Sequence, residues 1–213
     1  MFRISRGLKA VCALGVAGLA TTLLGACTPA KLGAAAMVGD QRISTTELNT
    51  AVKQWQQAYT ANPLPADQLQ LLDTSSLPRS VLYNLVVYKL TDVAAQRQGV
   101  RVGEGQLDNA IASVPADRLR AQAVILGVPP QRTRDFVRFE LEKQAIAAQL
   151  QPMLKGTGQS VNAALANVVK STAKSVKIDV NPRYGTFDYR QLAISADAGK
   201  LSRPETPQLP AQG

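Results

Sequence analysis

The chain has no histidine and two cysteines in 213 residues; aromatic residues make up 5% of it, with Trp55 the single tryptophan. Without histidine there is no ordinary proton shuttle near neutral pH, no Ser-His or Cys-His nucleophile pair and no imidazole ligand for zinc. The two thiols, Cys12 and Cys27, both fall in the first 27 residues, so no disulfide is expected to staple the remainder. Carboxylates, lysines, tyrosines and hydroxyls are left for chemistry, and no spacing gathers them into a site. Glu104 and Asp108 stand four apart without an acid–base partner, a pattern that solvent exposure explains. The reading is of a non-enzyme that needs neither cofactor nor metal. A domain of this length without bridges must hold itself together by its apolar core.

What is present begins at the N-terminus. Arg3, Arg6 and Lys9 form a positive start, and the run from Val11 to Leu24 is apolar or small apart from Thr21 and Thr22. That is the layout of a secretory signal, and the run is short against the roughly 20 residues of a bilayer span. Leu24-Gly25-Ala26-Cys27 resembles the lipobox of bacterial lipoproteins. The resemblance implies that residues 1–26 are a signal peptide, that cleavage falls between Ala26 and Cys27, and that Cys27 carries the lipid anchor. The protein would then sit on the extracytoplasmic face of a cell membrane. Removal of the signal leaves 21 basic and 15 acidic residues. A basic excess suits anionic headgroups or acidic segments of envelope proteins, and the export signal argues against nucleic acid. A soluble surface with a modest positive excess fits the same numbers.

Residues 27–35 read as a flexible tether, 36–195 as one domain and 196–213, with Pro204, Pro207 and Pro210, as a disordered tail. Ala35 to Val38 is a short apolar stretch ended by the turn dipeptide Gly39-Asp40, with Gln41 to Ile43 as a return strand. Ser44 and Glu47 fit a capping box for a helix carrying Leu48, Val52, Trp55 and Tyr59 on one face, stopped by Asn62-Pro63 and Pro65. Residues 66–74 suggest a short helix. Val81, Leu82, Leu85, Val86, Leu90, Val93 and Ala94 make the broadest stripe, closed by Gly99. Shorter helices follow around Leu107 to Val114 and from Ala116 to a stop at Gly127. A long one from Thr133 to Leu154 places Phe136, Val137, Leu141, Ala145, Ala148 and Leu150 inward, and Ser160 caps another running to Ser175. Val176, Ile178 and Val180 alternate as a half-buried strand.

From Ala36 to Leu150 this order resembles the N-terminal chaperone domain of SurA-type foldases and their PrsA-type lipoprotein relatives. Met37-Val38-Gly39-Asp40-Gln41-Arg42-Ile43-Ser44 with Glu47-Leu48 matches the opening strand, turn and capped helix. Val81 to Val102, with Ala94-Ala95-Gln96-Arg97-Gln98-Gly99, matches the central helix, although Gly103 stands where the family has Ser or Thr. Leu126-Gly127-Val128-Pro129 and the basic helix after it match the closing block. The resemblance implies a mainly α fold: a helical lobe with a small two-stranded sheet in which the stretch Val176–Val180 pairs with Met37–Asp40. About 25 residues separate Leu150 from that strand, so the family's parvulin-type isomerase domain is absent.

The family's function then implies a membrane-anchored, ATP-independent holdase for unfolded exported polypeptides. A structural or adaptor lipoprotein gripping one envelope partner is the alternative. Trp55, Tyr59, Tyr83 and Tyr88 are the candidate peptide-binding residues, because amphipathic rings supply much of the contact energy at interfaces. The spacing of Trp55 and Tyr59 suits the core stripe of their helix equally well, and Tyr83 and Tyr88 suit its boundary. Arg132, Arg134, Arg138 and Lys143 give the long helix a basic side, fit for headgroups or for water.

Overall fold

Strands far apart in sequence meet in one sheet. The computed structural model describes residues 32–61, 63 and 76–196. Strand β1 (Ala34–Val38) lies between β2 (Gln41–Ser44) and β3 (Ile178–Val180), antiparallel to both. Met37 is the Cα partner of Arg42 on one side and Asp179 on the other. The pairing of the domain ends expected from sequence is present, and β2 makes the sheet three-stranded. β1 also takes in Ala34 and Ala35, assigned above to the tether, and both are buried. The β1–β2 turn depends on Gly39, at φ 62°, the half of φ space in which hairpin turns favour glycine. Its N–H donates to the Lys177 carbonyl at 2.9 Å, tying the turn to the run into β3.

Among the described residues there are six α-helices, of which α1 and α2 pack on this sheet: α1 (Thr45–Ala61), α2 (Leu77–Arg97), α3 (Glu104–Ala112), α4 (Ala116–Ile125), α5 (Thr133–Met153) and α6 (Val161–Ser175). Local chemistry sets their ends. The Ser44 hydroxyl accepts the Glu47 N–H at 3.0 Å and the Ser160 hydroxyl accepts the Ala163 N–H at 3.2 Å. Glu47 does not complete the expected capping box, since its carboxylate accepts from Arg132 at 2.8 Å instead. Past α2 the chain reverses at Gly99, where the Val100 N–H reaches the Ala95 carbonyl at 2.8 Å.

The main core joins the sheet to α1 and α2 through Val38, Ile43, Leu48, Leu82, Val86 and Leu90. A second cluster under α3, α4 and α5 is built on Leu107, Leu119, Phe136 and Val137, and a third holds Ile146 against Ala94 and Ala95. Along α5 the inward set differs from the expected one. Ala148 is exposed, Ile146 is fully buried, and Glu142 is 4% exposed.

A hairpin of β4 (Thr186–Asp188) and β5 (Ala193–Ser195) follows β3. The Asp188 carboxylate caps its turn by accepting the Arg190 and Gln191 N–H groups. Tyr184 and Phe187 pack into the main core, the latter from strand β4. The suggested helix at 66–74, residues 1–26 with Cys27, and all but the first residue of the 196–213 tail lie outside the described residues.

Candidate functional site

An open groove of about 590 Å³ runs between α2, α5 and β5. Its α2 wall carries Tyr83 and Tyr88, and its α5 wall carries Phe136 and Phe139, with the four residues from Ala193 to Ala196 along the third side. The Tyr88 and Phe139 rings are 4.8 Å apart at 36°, forming an apolar ledge. Lys143 Nζ lies 4.7 Å above the Phe139 ring and 3.0 Å from Glu140 Oε1, so these two rim charges offset each other. Burial raises the pKa of Tyr83. The Tyr88 phenol is pushed higher still, by burial first and then by Glu140 and Asp135. Both tyrosines therefore present neutral hydroxyls. Asn84 Nδ2 donates to the Leu126 carbonyl at 2.7 Å, holding the groove's floor to the end of α4.

Tyr88 and Phe139 also line a smaller hollow of about 190 Å³ with Leu85, Asp92, Arg138 and Glu142. Burial raises the Glu142 carboxyl to about 7, with Asp92 reinforcing the shift and Arg138 opposing it. No geometry here makes Glu142 an acid catalyst. Among the described residues no group of three or more acidic side chains is placed to hold a metal ion.

Of the four candidate aromatics, the structure brings Tyr83 and Tyr88 together in the groove and leaves Trp55 and Tyr59 elsewhere. Trp55 is a core residue, 4% exposed, stacked on half-buried Tyr59 at 5.2 Å and 7°, with its indole N–H bonded to the Val124 carbonyl. The buried, bonded indole of Trp55 belongs to the core, and Tyr59 packs half-buried against it, away from the groove. Phe136 and Phe139 were missed as groove residues. Phe136 sits on the apolar stripe of α5 and reads as core, and Phe139 falls off that stripe.

The basic side of α5 is already paired. Arg132 meets Glu47 at 2.8 Å and Asp135 at 3.3 Å, Arg134 bridges Glu104 at 2.5 Å and Asp108 at 2.7 Å, and Arg138 meets Glu104 at 2.6 Å. The Glu104 pKa is lowered by hydrogen bonds from Arg134 and Arg138, so the carboxylate pair spaced four apart serves as counter-ion to α5. No helix among the described residues is long and apolar enough to cross a membrane.

Two comparisons with known proteins each match about half of the chain. The family model for the SurA-like N-terminal domain matches residues 3–122. The chain is 31% identical over 114 residues to proteins named Chaperone SurA from Xylella fastidiosa strains Temecula1 and 9a5c. That stretch is 50% of this chain and 23% of each relative, so the chain matches about a quarter of their length. No solved structure matches.

Proposed function

Because the chain belongs to the family of SurA-like N-terminal domains, we propose that it is a binding module for unfolded exported polypeptides, a holdase without a catalytic step. The observation that carries this reading is the groove, whose aromatic wall of Tyr83, Tyr88 and Phe139 is left open by the other described residues. Such a surface takes extended or partly folded segments through apolar contacts of modest specificity. We propose further that Cys27 anchors the protein by lipid to the outer face of the cell membrane, after cleavage at Ala26. Tethering would raise its effective concentration where exported chains emerge, which compensates for weak binding. Isomerase chemistry plays no part in this proposal.

The test is light scattering of two unrelated reduced, unfolded proteins with and without the chain from residue 28 onward. Suppression of both at near-stoichiometric amounts, weakened by Tyr83→Ser with Phe139→Ser while the circular dichroism spectrum is retained, is the expected result. Suppression of neither overturns the holdase reading and favours an adaptor gripping one dedicated envelope partner.

A further inference from the structure

Strand β3 is an edge of the three-stranded sheet, and its outer side is not bare. The Gly39 N–H donates to the Lys177 carbonyl at 2.9 Å, and the Asn181 N–H donates to the Ala35 carbonyl at 2.9 Å. Met37 lies opposite Asp179 between these two bonds. Residues 177, 179 and 181 therefore turn their main-chain groups toward β1. By the alternation of an antiparallel ladder, the N–H and C=O of Ile178 and Val180 point the other way. Among the described residues no strand pairs with β3 on that side.

A side chain stands there in place of a strand. The Tyr189 hydroxyl accepts the Ile178 N–H at 3.1 Å and donates to the Ile178 carbonyl at 3.1 Å. A hydroxyl is donor and acceptor at once, so one phenol takes both groups that a residue of a neighbouring strand would take. The ring is held in place for this. It meets Phe187 edge to face, with centroids 5.1 Å apart at 83°, and Phe187 is buried in the main core. The turn that carries Tyr189 is fixed by the Asp188 carboxylate, which accepts the Arg190 and Gln191 N–H groups.

We propose that Tyr189 is an edge guard, which keeps β3 from pairing with β3 of a second copy and so holds the domain monomeric where copies are crowded. An open edge is a template for pairing between chains. Two identical strands can pair antiparallel about a two-fold axis, each offering the same surface to the other. The register that pairs all three β3 residues sets Ile178 of each copy opposite Val180 of the other. Those are the residues whose main-chain groups point outward. The same register centres on Asp179 facing Asp179, and like charges directly opposite disfavour a pair. A charge thus backs the hydroxyl. Nothing in this guard depends on the groove.

The test uses the chain from residue 28 onward, which lacks both native cysteines. Tyr189→Phe keeps the ring on Phe187 and removes the hydroxyl, so the circular dichroism spectrum is expected to be retained. Hydrogen exchange of the Ile178 amide is expected to speed up about tenfold or more, the equivalent of one lost hydrogen bond. In sedimentation velocity the variant is expected to form a concentration-dependent dimer while the parent stays monomeric. Asp179→Cys then removes the charge and reports the register, because opposed residues that are not hydrogen-bonded bring their side chains closest. With oxidised glutathione, Tyr189→Phe combined with Asp179→Cys is expected to give a disulfide-linked dimer at least about tenfold faster than Asp179→Cys alone. Equal rates with and without the hydroxyl overturn the guard, as does a parent chain that dimerises as readily as Tyr189→Phe. A Tyr189→Phe chain that stays monomeric with a fast-exchanging Ile178 amide also overturns it, and leaves the hydroxyl only tying the hairpin to the sheet.

Discussion

The indole N–H of Trp55 donates to the carbonyl oxygen of Val124 at 2.9 Å, across 69 residues of sequence. The bond joins α1 to the last turn of α4, and the same oxygen also accepts the Gly127 N–H at 3.0 Å. Loss of the indole donor therefore leaves the carbonyl one partner. Trp55→Phe is expected to cost about 1–2 kcal/mol, a net hydrogen bond plus some lost contact. Trp55→Ala is expected to cost about 3–5 kcal/mol through the cavity it opens. Urea unfolding followed by circular dichroism reads both. In the unmodified protein the lone indole emission is expected to stay put when a peptide enters the groove; a shift would move the binding site toward α1.

Glu142 makes stability depend on pH in a direction opposite to that of a paired carboxylate. Its carboxyl is raised by burial from an ordinary value of 4.5 to about 7. Between those values the folded protein holds a proton that the unfolded chain has released. The contribution of this group therefore falls as pH rises from about 4.5 to about 7. Glu142→Gln, neutral at every pH, is expected to lose less stability than the parent between pH 5 and pH 8 and to exceed it at pH 8. Parallel urea curves for parent and variant at the two pH values would refute the buried-acid assignment.

Gly185 holds φ 118° and its Cα lies against the main chain of Ser195. An alanine there meets backbone, which has no rotamer to give. Gly185→Ala is expected to destabilise by more than about 1 kcal/mol and to weaken aggregation suppression, because β5 is a wall of the groove. An unchanged melting temperature would contradict the close approach of the two strands.

Attachment to the membrane is expected to reside in Cys27 alone, since the arginines on α5 already face carboxylates. Cys27→Ser should move the protein from the membrane fraction to the soluble fraction. Retention of that variant after a salt wash would end the lipoprotein proposal.

Features written in local chemistry were legible in the chain. Gly39-Asp40 gave the hairpin turn, Ser44 and Ser160 the helix starts, Gly99 and Gly127 the stops, and the alternation at Val176 to Val180 the strand that closes the sheet. What stayed hidden depends on distant partners. The basic side of α5 is consumed by Glu47, 85 residues away, and by Glu104, 30 to 34 away. The β4–β5 hairpin carries no glycine to announce it; its left-handed position is Leu192, at φ 52°, held by packing on the main core. Trp55 was read as groove or core from one helical face, and only the position of α4 decides between them.

The sheet that pairs β1 with β3 also fixes the order in which the domain assembles. Asn181 Nδ2 reaches the Ala34 carbonyl across 147 residues, whereas the turns and helices close over short spans. Contacts of such separation wait on loop-closure entropy, while helices and hairpins form in microseconds. During folding from the N-terminus, β1 therefore has β2 on one side and a bare edge on the other until almost all of the described chain is available. For that interval the domain is itself an extended apolar strand in search of a partner.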